Sequence, residues 1–185
     1  LRLVTQRKQN ETRLEHLANY DELTGHYNKQ RLREALDYSL AYSLRYGSPG
    51  AFLAVGVDQL GRINTAYGSE AGDGVLLEIS RRLDQCLRTT DVIGRLGSDR
   101  FGVVLAFCTP EDAAMIGERI AQAIRQTPIT VGGNRLHMTA SIGLVHFPDQ
   151  SRASFDVIVK AEGALSKAKQ AGRDCVQPYE MSEQQ

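Results

Sequence analysis

The spacing of apolar residues changes several times along the chain, and each change marks a new element. Residues 1–18 are polar, with a sparse stripe of Leu3, Val4, Leu14 and Leu17. This predicts a helix with one narrow apolar face, as in a helical linker or coiled coil. Asn19-Tyr-Asp-Glu-Leu-Thr-Gly25 is a polar break rich in turn formers. A helix over Lys29–Tyr46 follows, ended by Gly47-Ser-Pro-Gly50. Tyr38, Tyr42 and Tyr46 recur four apart on it and read as packing residues.

Ala51–Val57 is a short unbroken apolar run, the pattern of a buried strand. Ile63–Tyr67 reads as a helical turn stopped at Gly68. Gly72–Arg88 reads as a long helix with Val75, Ile79, Leu83 and Leu87 on one face. Asp91–Leu96 and Phe101–Phe107 form a predicted hairpin around Gly97-Ser-Asp-Arg100. Thr109-Pro110-Glu111-Asp112 is a helix start: a capping hydroxyl, a proline at the first position, then acids that complement the dipole. Ile116, Ile120 and Ile124 mark the buried face of that helix. Residues 129–147 read as a second hairpin turning at Gly132-Gly133-Asn134. A last helix is expected over Phe155–Ala171, closed by Gly172, then a short strand over Cys175–Gln177. After the linker the order is α-β-α-α-β-β-α-β-β-α-β. It contains the βαββαβ core of a ferredoxin-like α+β fold, a mixed, largely antiparallel sheet covered by helices.

With 185 residues the chain is long enough for one domain and an added helix, here 19–178 with the linker 1–18 before it and a polar tail or the start of a linker, 179–185, after it. The formal net charge is zero, so any phosphate binding must come from locally placed Lys and Arg rather than a general field. No nucleic-acid partner is expected. No apolar run approaches the roughly 20 residues of a membrane span, so a cytoplasmic location is expected for this stretch, whatever it is attached to. Cys86, Cys108 and Cys175 lack metal-type spacing and read as reduced, buried thiols.

Five blocks carry a resemblance. They are Tyr20-Asp-Glu-Leu-Thr-Gly-His-Tyr-Asn28; Asp58-Gln-Leu-Gly-Arg-Ile-Asn64 with Tyr67-Gly68 and Gly72-Asp73; Arg88-Thr-Thr-Asp91; Gly97-Ser-Asp-Arg-Phe101; and Ala168-Lys-Gln-Ala-Gly-Arg-Asp174. In this order and spacing they resemble the GGDEF (diguanylate cyclase) family over roughly 18–178. The resemblance implies the palm-like fold of nucleotide cyclases and polymerases. It also implies a homodimer in which two GTP molecules join into cyclic di-GMP, with Mg²⁺ or Mn²⁺ on the phosphates. A PAS-like sensor upstream and an EAL phosphodiesterase alongside are the neighbours it implies.

The chain departs from the family where the chemistry lies. The first acid of the family's Asp-x-Asp is Gly56, and the second is Asp58. In the hairpin turn the family's Gly-Gly-Asp/Glu-Glu-Phe is degenerate: Ser98 replaces the second glycine and Arg100 the following glutamate, leaving Asp99 as the acid. Asp58 and Asp99 are therefore the residual catalytic residues and the weak metal ligands. The Phe-Lys pair expected after Asp-x-Asp is Leu60-Gly61, with Arg62 beside it. Asn64 and Asp73 match the guanine-reading positions, and Lys169 and Arg173 the phosphate-contacting cations. Arg88, Asp91 and Arg119 match the family's inhibitory cyclic di-GMP site, where an arginine fork suits guanine O6 and N7 and a carboxylate suits N1 and N2. The implied function is a regulatory or receptor module that binds cyclic di-GMP without making it. The alternatives are a weakly active cyclase, or a GTP-binding module controlling an adjacent EAL domain.

Overall fold

The computed structural model describes residues 2–181, and side chains from residue 4. Leu1, the side chain of Leu3 and residues 182–185 of the expected tail lie outside the described residues. The elements in chain order are α1 (Arg2–Asn19), α2 (Lys29–Tyr46), β1 (Gly50–Val57), α3 (Leu60–Tyr67), α4 (Ser69–Cys86), β2 (Val92–Gly97), β3 (Arg100–Ala106), α5 (Pro110–Gln126), β4 (Ile129–Val131), β5 (Asn134–Leu136), β6 (Ala140–Phe147), α6 (Ser154–Gln170) and β7 (Val176–Pro178).

Strand β1 is buried at every position, as its unbroken apolar run requires, and it is the centre of a five-stranded sheet ordered β2-β3-β1-β6-β7. β1 pairs antiparallel with β3 and with β6, and β7 adds in parallel at the β6 edge. The core β1-α4-β2-β3-α5-β6 is therefore the ferredoxin-like arrangement, extended by one strand. Alternate residues of β1 serve two cores. Ala51, Leu53, Val55 and Val57 pack with α4 and α5, while Phe52 and Ala54 pack with α2 and α6. Helix α6 lies very close to β6: a side chain at Gly143 would run into the backbone at Ala161 and Leu165. That close approach seats α6 over the end of β1, where Gly56 lies. The predicted N-cap of α5 forms, Thr109 Oγ1 accepting from Asp112 N at 3.2 Å, and α2 is capped by Asn28 Oδ1, which accepts from Arg31 N at 2.9 Å.

Four expectations are corrected. The expected hairpin over 129–147 divides in two. β4 and β5 close a small separate hairpin through Gly132 and Gly133, both at positive φ as a tight hairpin turn needs, and β6 leaves it to join the main sheet. The stretch 129–147 holds two glycines at one turn but no second turn signal, so sequence could not show the sheet change. Helix α4 ends at Cys86, which frees Leu87 and Arg88 from the helix. The tyrosines of α2 do not form its buried face, which is Leu32, Leu36 and Leu40. Tyr38 and Tyr46 are exposed, and Tyr42 packs edge-on against Phe107 at a ring separation of 5.4 Å. Of the three free cysteines only Cys108 is buried, although burial pushes all three thiols up.

Candidate functional site

The end of β1 and the β2–β3 turn bring the altered acid positions together. Gly56 pairs directly with Arg100 across β1 and β3, so both side-chain positions point to the α6 face. A Cβ on Gly56 would lie 3.1 and 3.2 Å from the two methyls of Leu165 and 3.4 Å from Lys169 Cε. A side chain at Gly56 would therefore require Leu165 and Lys169 to give by a few tenths of an ångström. The Arg100 guanidinium lies against Gly97, whose missing Cβ makes room for it, and its NH2 is 3.6 Å from Glu162 on α6. Arg100 Nε is buried with no hydrogen-bond partner among the described residues.

Asp58 is held in place by hydrogen bonds from the neighbouring strand and loop. It is 5% exposed, and its oxygens accept Thr139 Oγ1 at 2.6 Å, Ser141 Oγ at 2.7 Å and Asp174 N at 3.2 Å. Its carboxylate ties β1 to β6 and to the loop after α6, which leaves Asp99 as the uncommitted acid of the pair. Asp99 is half-buried in the turn, and its backbone carbonyl accepts Val57 N at 2.9 Å. Asp58→Asn is expected to lower stability by about 2 kcal/mol, because two hydroxyls and an amide lose a charged acceptor. Chemical denaturation of the two proteins side by side measures it, and equal midpoints would rule the role out.

The expected nucleotide residues lie in two groups. Asn64 on α3 packs directly on Gly72 of α4, beside Asp73, and both Asn64 and Asp73 are exposed. Lys169, near the C-terminal end of α6, is half-buried and makes no ion pair among the described residues. Arg173 follows in a loop in which Gly172, Arg173 and Asp174 all have positive φ. Two consecutive non-glycine residues in that region cost energy, and the loop is held by Asp174 N on Asp58 and by Arg125 NH1 on Asp174 at 2.9 Å. Arg173 is displayed to solvent at the loop tip. Arg62 is exposed, and among the described residues its side chain reaches only Gln59 Oε1, at 3.5 Å.

At the other end of β2, Arg88 and Asp91 fold onto each other. The Asp91 side chain is fully buried and accepts Arg88 N at 2.9 Å, Arg88 Nε at 3.2 Å and Arg88 NH2 at 2.9 Å. Arg88 NH2 also donates to Ala106 O at 2.9 Å. The Asp91 hydrogen bond raises the guanidinium's already high pKa, more than its own partial burial lowers it. Three of the five guanidinium donors of Arg88 are thereby engaged, and its side chain is about half exposed. Asp91 thus positions Arg88, a role its spacing alone did not show. Both residues line a cleft of about 440 Å³ whose far wall is Tyr20, His26 and Tyr27, with Asp84 3.3 Å from His26 Nε2. Arg88 and Arg119 also share a shallower depression of about 640 Å³. Arg119 NH2 donates to Cys86 O at 2.9 Å, which fixes it beside the end of α4.

Sequence reading passed over two arginines that organise these ends. Arg95 donates to Gly97 O at 3.1 Å and Ser98 O at 3.0 Å, shaping the turn, and reaches Asp21 at 3.2 Å. Asp21 in turn accepts Thr24 N and Oγ1, so the opening Asp-Glu-Leu-Thr motif is tied to the hairpin. Arg82 is buried and donates to four backbone carbonyls at the end of α5. A buried-facing arginine within an apolar helix stripe was the available signal.

A βαββαβ palm with nucleotide-type residues at one end of β1 and an Arg-x-x-Asp at the far end of β2 defines a nucleotide-cyclase domain. The family model described as "Diguanylate cyclase, GGDEF domain" matches residues 18–175, and the chain belongs to that family. The diguanylate cyclase DgcP of Pseudomonas aeruginosa is 36% identical over 154 residues, 83% of this chain and 23% of that protein. MucR of the same organism, a bifunctional diguanylate cyclase/cyclic di-GMP phosphodiesterase, is 30% identical over 158 residues, 85% of this chain and 23% of that protein. The GGDEF domain of PA1120 (TpbB or YfiN), also from P. aeruginosa, has a TM-score of 0.83 at 29% identity, covering 87% of this chain and 94% of that one. The chain spans less than half the length of the first curated relatives it matches. Among the described residues no helix is long and apolar enough to cross a membrane.

GGDEF cyclases generally use Mg²⁺ or Mn²⁺, ions that want several oxygen ligands in tight geometry. The residues here do not fit such an ion. Gly56 offers no carboxylate, Arg100 brings a like charge, and the oxygens of Asp58 accept hydrogen bonds from Thr139 and Ser141. Among the described residues, no group of three or more His, Cys, Asp or Glu is placed to hold a metal.

Proposed function

We propose that this GGDEF domain is a receptor and regulatory module of cyclic di-GMP signalling rather than a cyclase. The observation that carries the reading is the contrast between its two ends. Arg88 stands ready at the mouth of a 440 Å³ cleft, held by the buried Asp91, while the cyclase end has a glycine, Gly56, where a metal-binding acid belongs. The ligand's guanine takes the exposed part of Arg88, with Arg119 available to its phosphates. Helix α1, with Val4 and Leu14 exposed, is the linker that would carry the bound state to a neighbouring PAS-like or EAL domain, or to a second copy of the chain.

Calorimetric titration of cyclic di-GMP into ligand-free protein tests this. Arg88→Ala is expected to weaken binding by about 30-fold or more, the loss of a charge-assisted fork. Asp91→Asn is expected to weaken it by a smaller factor, because Arg88 loses its anchor. No binding by the wild type, or equal affinity in both variants, would remove the proposal.

A further inference from the structure

The acid that the Arg-x-x-Asp spacing offers to a ligand is already in use. The Asp91 side chain is fully buried, and its two oxygens accept Arg88 N, Nε and NH2 at 2.9–3.2 Å. Turning it toward a ligand would cost Arg88 its anchor. Guanine presents two donors, N1–H and the N2 amino group, beside the O6 and N7 acceptors that suit an arginine. A cleft that reads guanine therefore needs a second, accessible acceptor.

The cleft of about 440 Å³ beside Arg88 holds one in Asp84, near the C-terminal end of α4. That volume falls within the roughly 300–1,000 Å³ usual for small-molecule sites. Two carboxylates line the cleft, and Asp84 is the accessible one: its side chain is 57% exposed, against none for Asp91. Asp84 Oδ2 lies 3.3 Å from His26 Nε2, yet the two are not aligned for a hydrogen bond, and that buried ring nitrogen has no hydrogen-bond partner among the described residues. A buried polar atom without a partner is costly, and here a ligand entering the cleft can supply one. The opening turn brings His26 to this place: Thr24 Oγ1 accepts His26 N at 3.3 Å, and His26 O accepts Asp21 N at 2.7 Å. Tyr20 and Tyr27, with ring centroids 5.5 Å apart, add aromatic surface on the same wall for a base to stack on.

We propose that Asp84, with His26 beside it, is the carboxylate that reads the N1 and N2 donors of guanine in this cleft, while Asp91 acts only through Arg88. The inference rests on the reading of the cleft as a cyclic di-GMP site, and it names the residue that makes the site select guanine. Adenine has no proton at N1 and no N2 amino group, so the same carboxylate meets a lone pair and rejects it.

Cyclic di-GMP and cyclic di-IMP, which lacks the N2 amino group, are each titrated into the wild type, Asp84→Ala, Asp84→Asn and Asp91→Asn. The wild type is expected to prefer cyclic di-GMP by about tenfold or more, the discrimination of one well-placed polar pair. Asp84→Ala is expected to bind the two ligands about equally, and Asp84→Asn, which keeps one oxygen acceptor, to retain part of the preference. Asp91→Asn is expected to weaken both ligands alike and to keep the preference, because it acts through Arg88. A merely structural role for Asp84 would lower both affinities by the same factor. That result, an unaltered preference in Asp84→Ala, or a wild type without preference would overturn the proposal and leave the receptor reading standing. No binding of either ligand by the wild type would remove both.

Discussion

Given GTP and Mg²⁺ or Mn²⁺, the purified protein is expected to form cyclic di-GMP at least about 1,000-fold more slowly than a cyclase such as DgcP run in parallel. Two changes at facing strand positions account for most of this. Gly56 removes a carboxylate that would ligate the ion, and Arg100 turns the partner position from an acid to a base. Each ~1.4 kcal/mol of lost transition-state stabilisation is a factor of ten in rate, and a missing metal ligand costs several. Restoring the acids is not expected to restore the rate. In Gly56→Asp the new Cβ would sit 3.1–3.2 Å from the Leu165 methyls, so Leu165 must shift to admit it, and the rest of the site is unchanged. The double variant Gly56→Asp/Arg100→Glu is therefore expected to stay about 100-fold or more below the active enzyme. Chromatography of the nucleotide products measures both. Robust turnover by the unmodified protein would show that the metal is held in a way these side chains do not indicate, and the receptor reading would lose its contrast.

Replacing Arg82 by methionine is expected to destabilise the fold by about 4 kcal/mol, near the upper range for a buried charged network. The methionine keeps the aliphatic length but removes every donor. Carbonyls of Ala123, Ile124, Thr127 and Pro128, which accept Arg82 at 2.9–3.2 Å, would be left at the C-terminal end of α5 with fewer partners. Those are the orphan acceptors every helix end must satisfy. Glu78 also loses a partner at 3.0 Å. The Arg81 hydrogen bond holds the Glu78 carboxyl below its ordinary range, against the upward pull of partial burial, with a further hydrogen bond from Arg82. Since its folded value is depressed, Glu78 contributes stability above its unfolded value and loses it as pH falls through the folded one. Denaturant unfolding at neutral pH reads the main effect. A loss below about 1 kcal/mol would mean that water caps α5 as well as Arg82 does.

The elements of this domain were legible because their signals are local. An unbroken apolar run, a period near four, the Thr109-Pro110 start and the Gly47 stop each act within a few residues, and α5 and β1 appear where those signals place them. The misreadings share one cause. Tyr38, Tyr42 and Tyr46 keep a helical spacing whether they face a core or solvent, and only the position of the sheet decides that Leu32, Leu36 and Leu40 win the buried face. Likewise, local pattern makes 129–147 one hairpin because it cannot say which strand β6 pairs with, and β6 pairs with β1.

For the site, the sequence by itself determined the inventory: a glycine and an arginine where acids are expected, an Arg-x-x-Asp, and cations near the end of the last helix. Residue identity is enough for that, because an absent carboxylate is absent in any fold. Only the tertiary structure decided which of the remaining groups are free. Asp58 is spent on Thr139, Ser141 and Asp174, Asp91 on Arg88, and the space beside Gly56 is bounded by Leu165 and Lys169. Two of those three involve partners far away in the chain, brought near by the pairing of β1 with β6 and the close approach of α6. The third depends on α4 ending at Cys86, which releases Arg88 to turn back onto Asp91. Whether a polar group is available for chemistry depends on every donor and acceptor around it, and packing sets those neighbours after the local pattern has been satisfied.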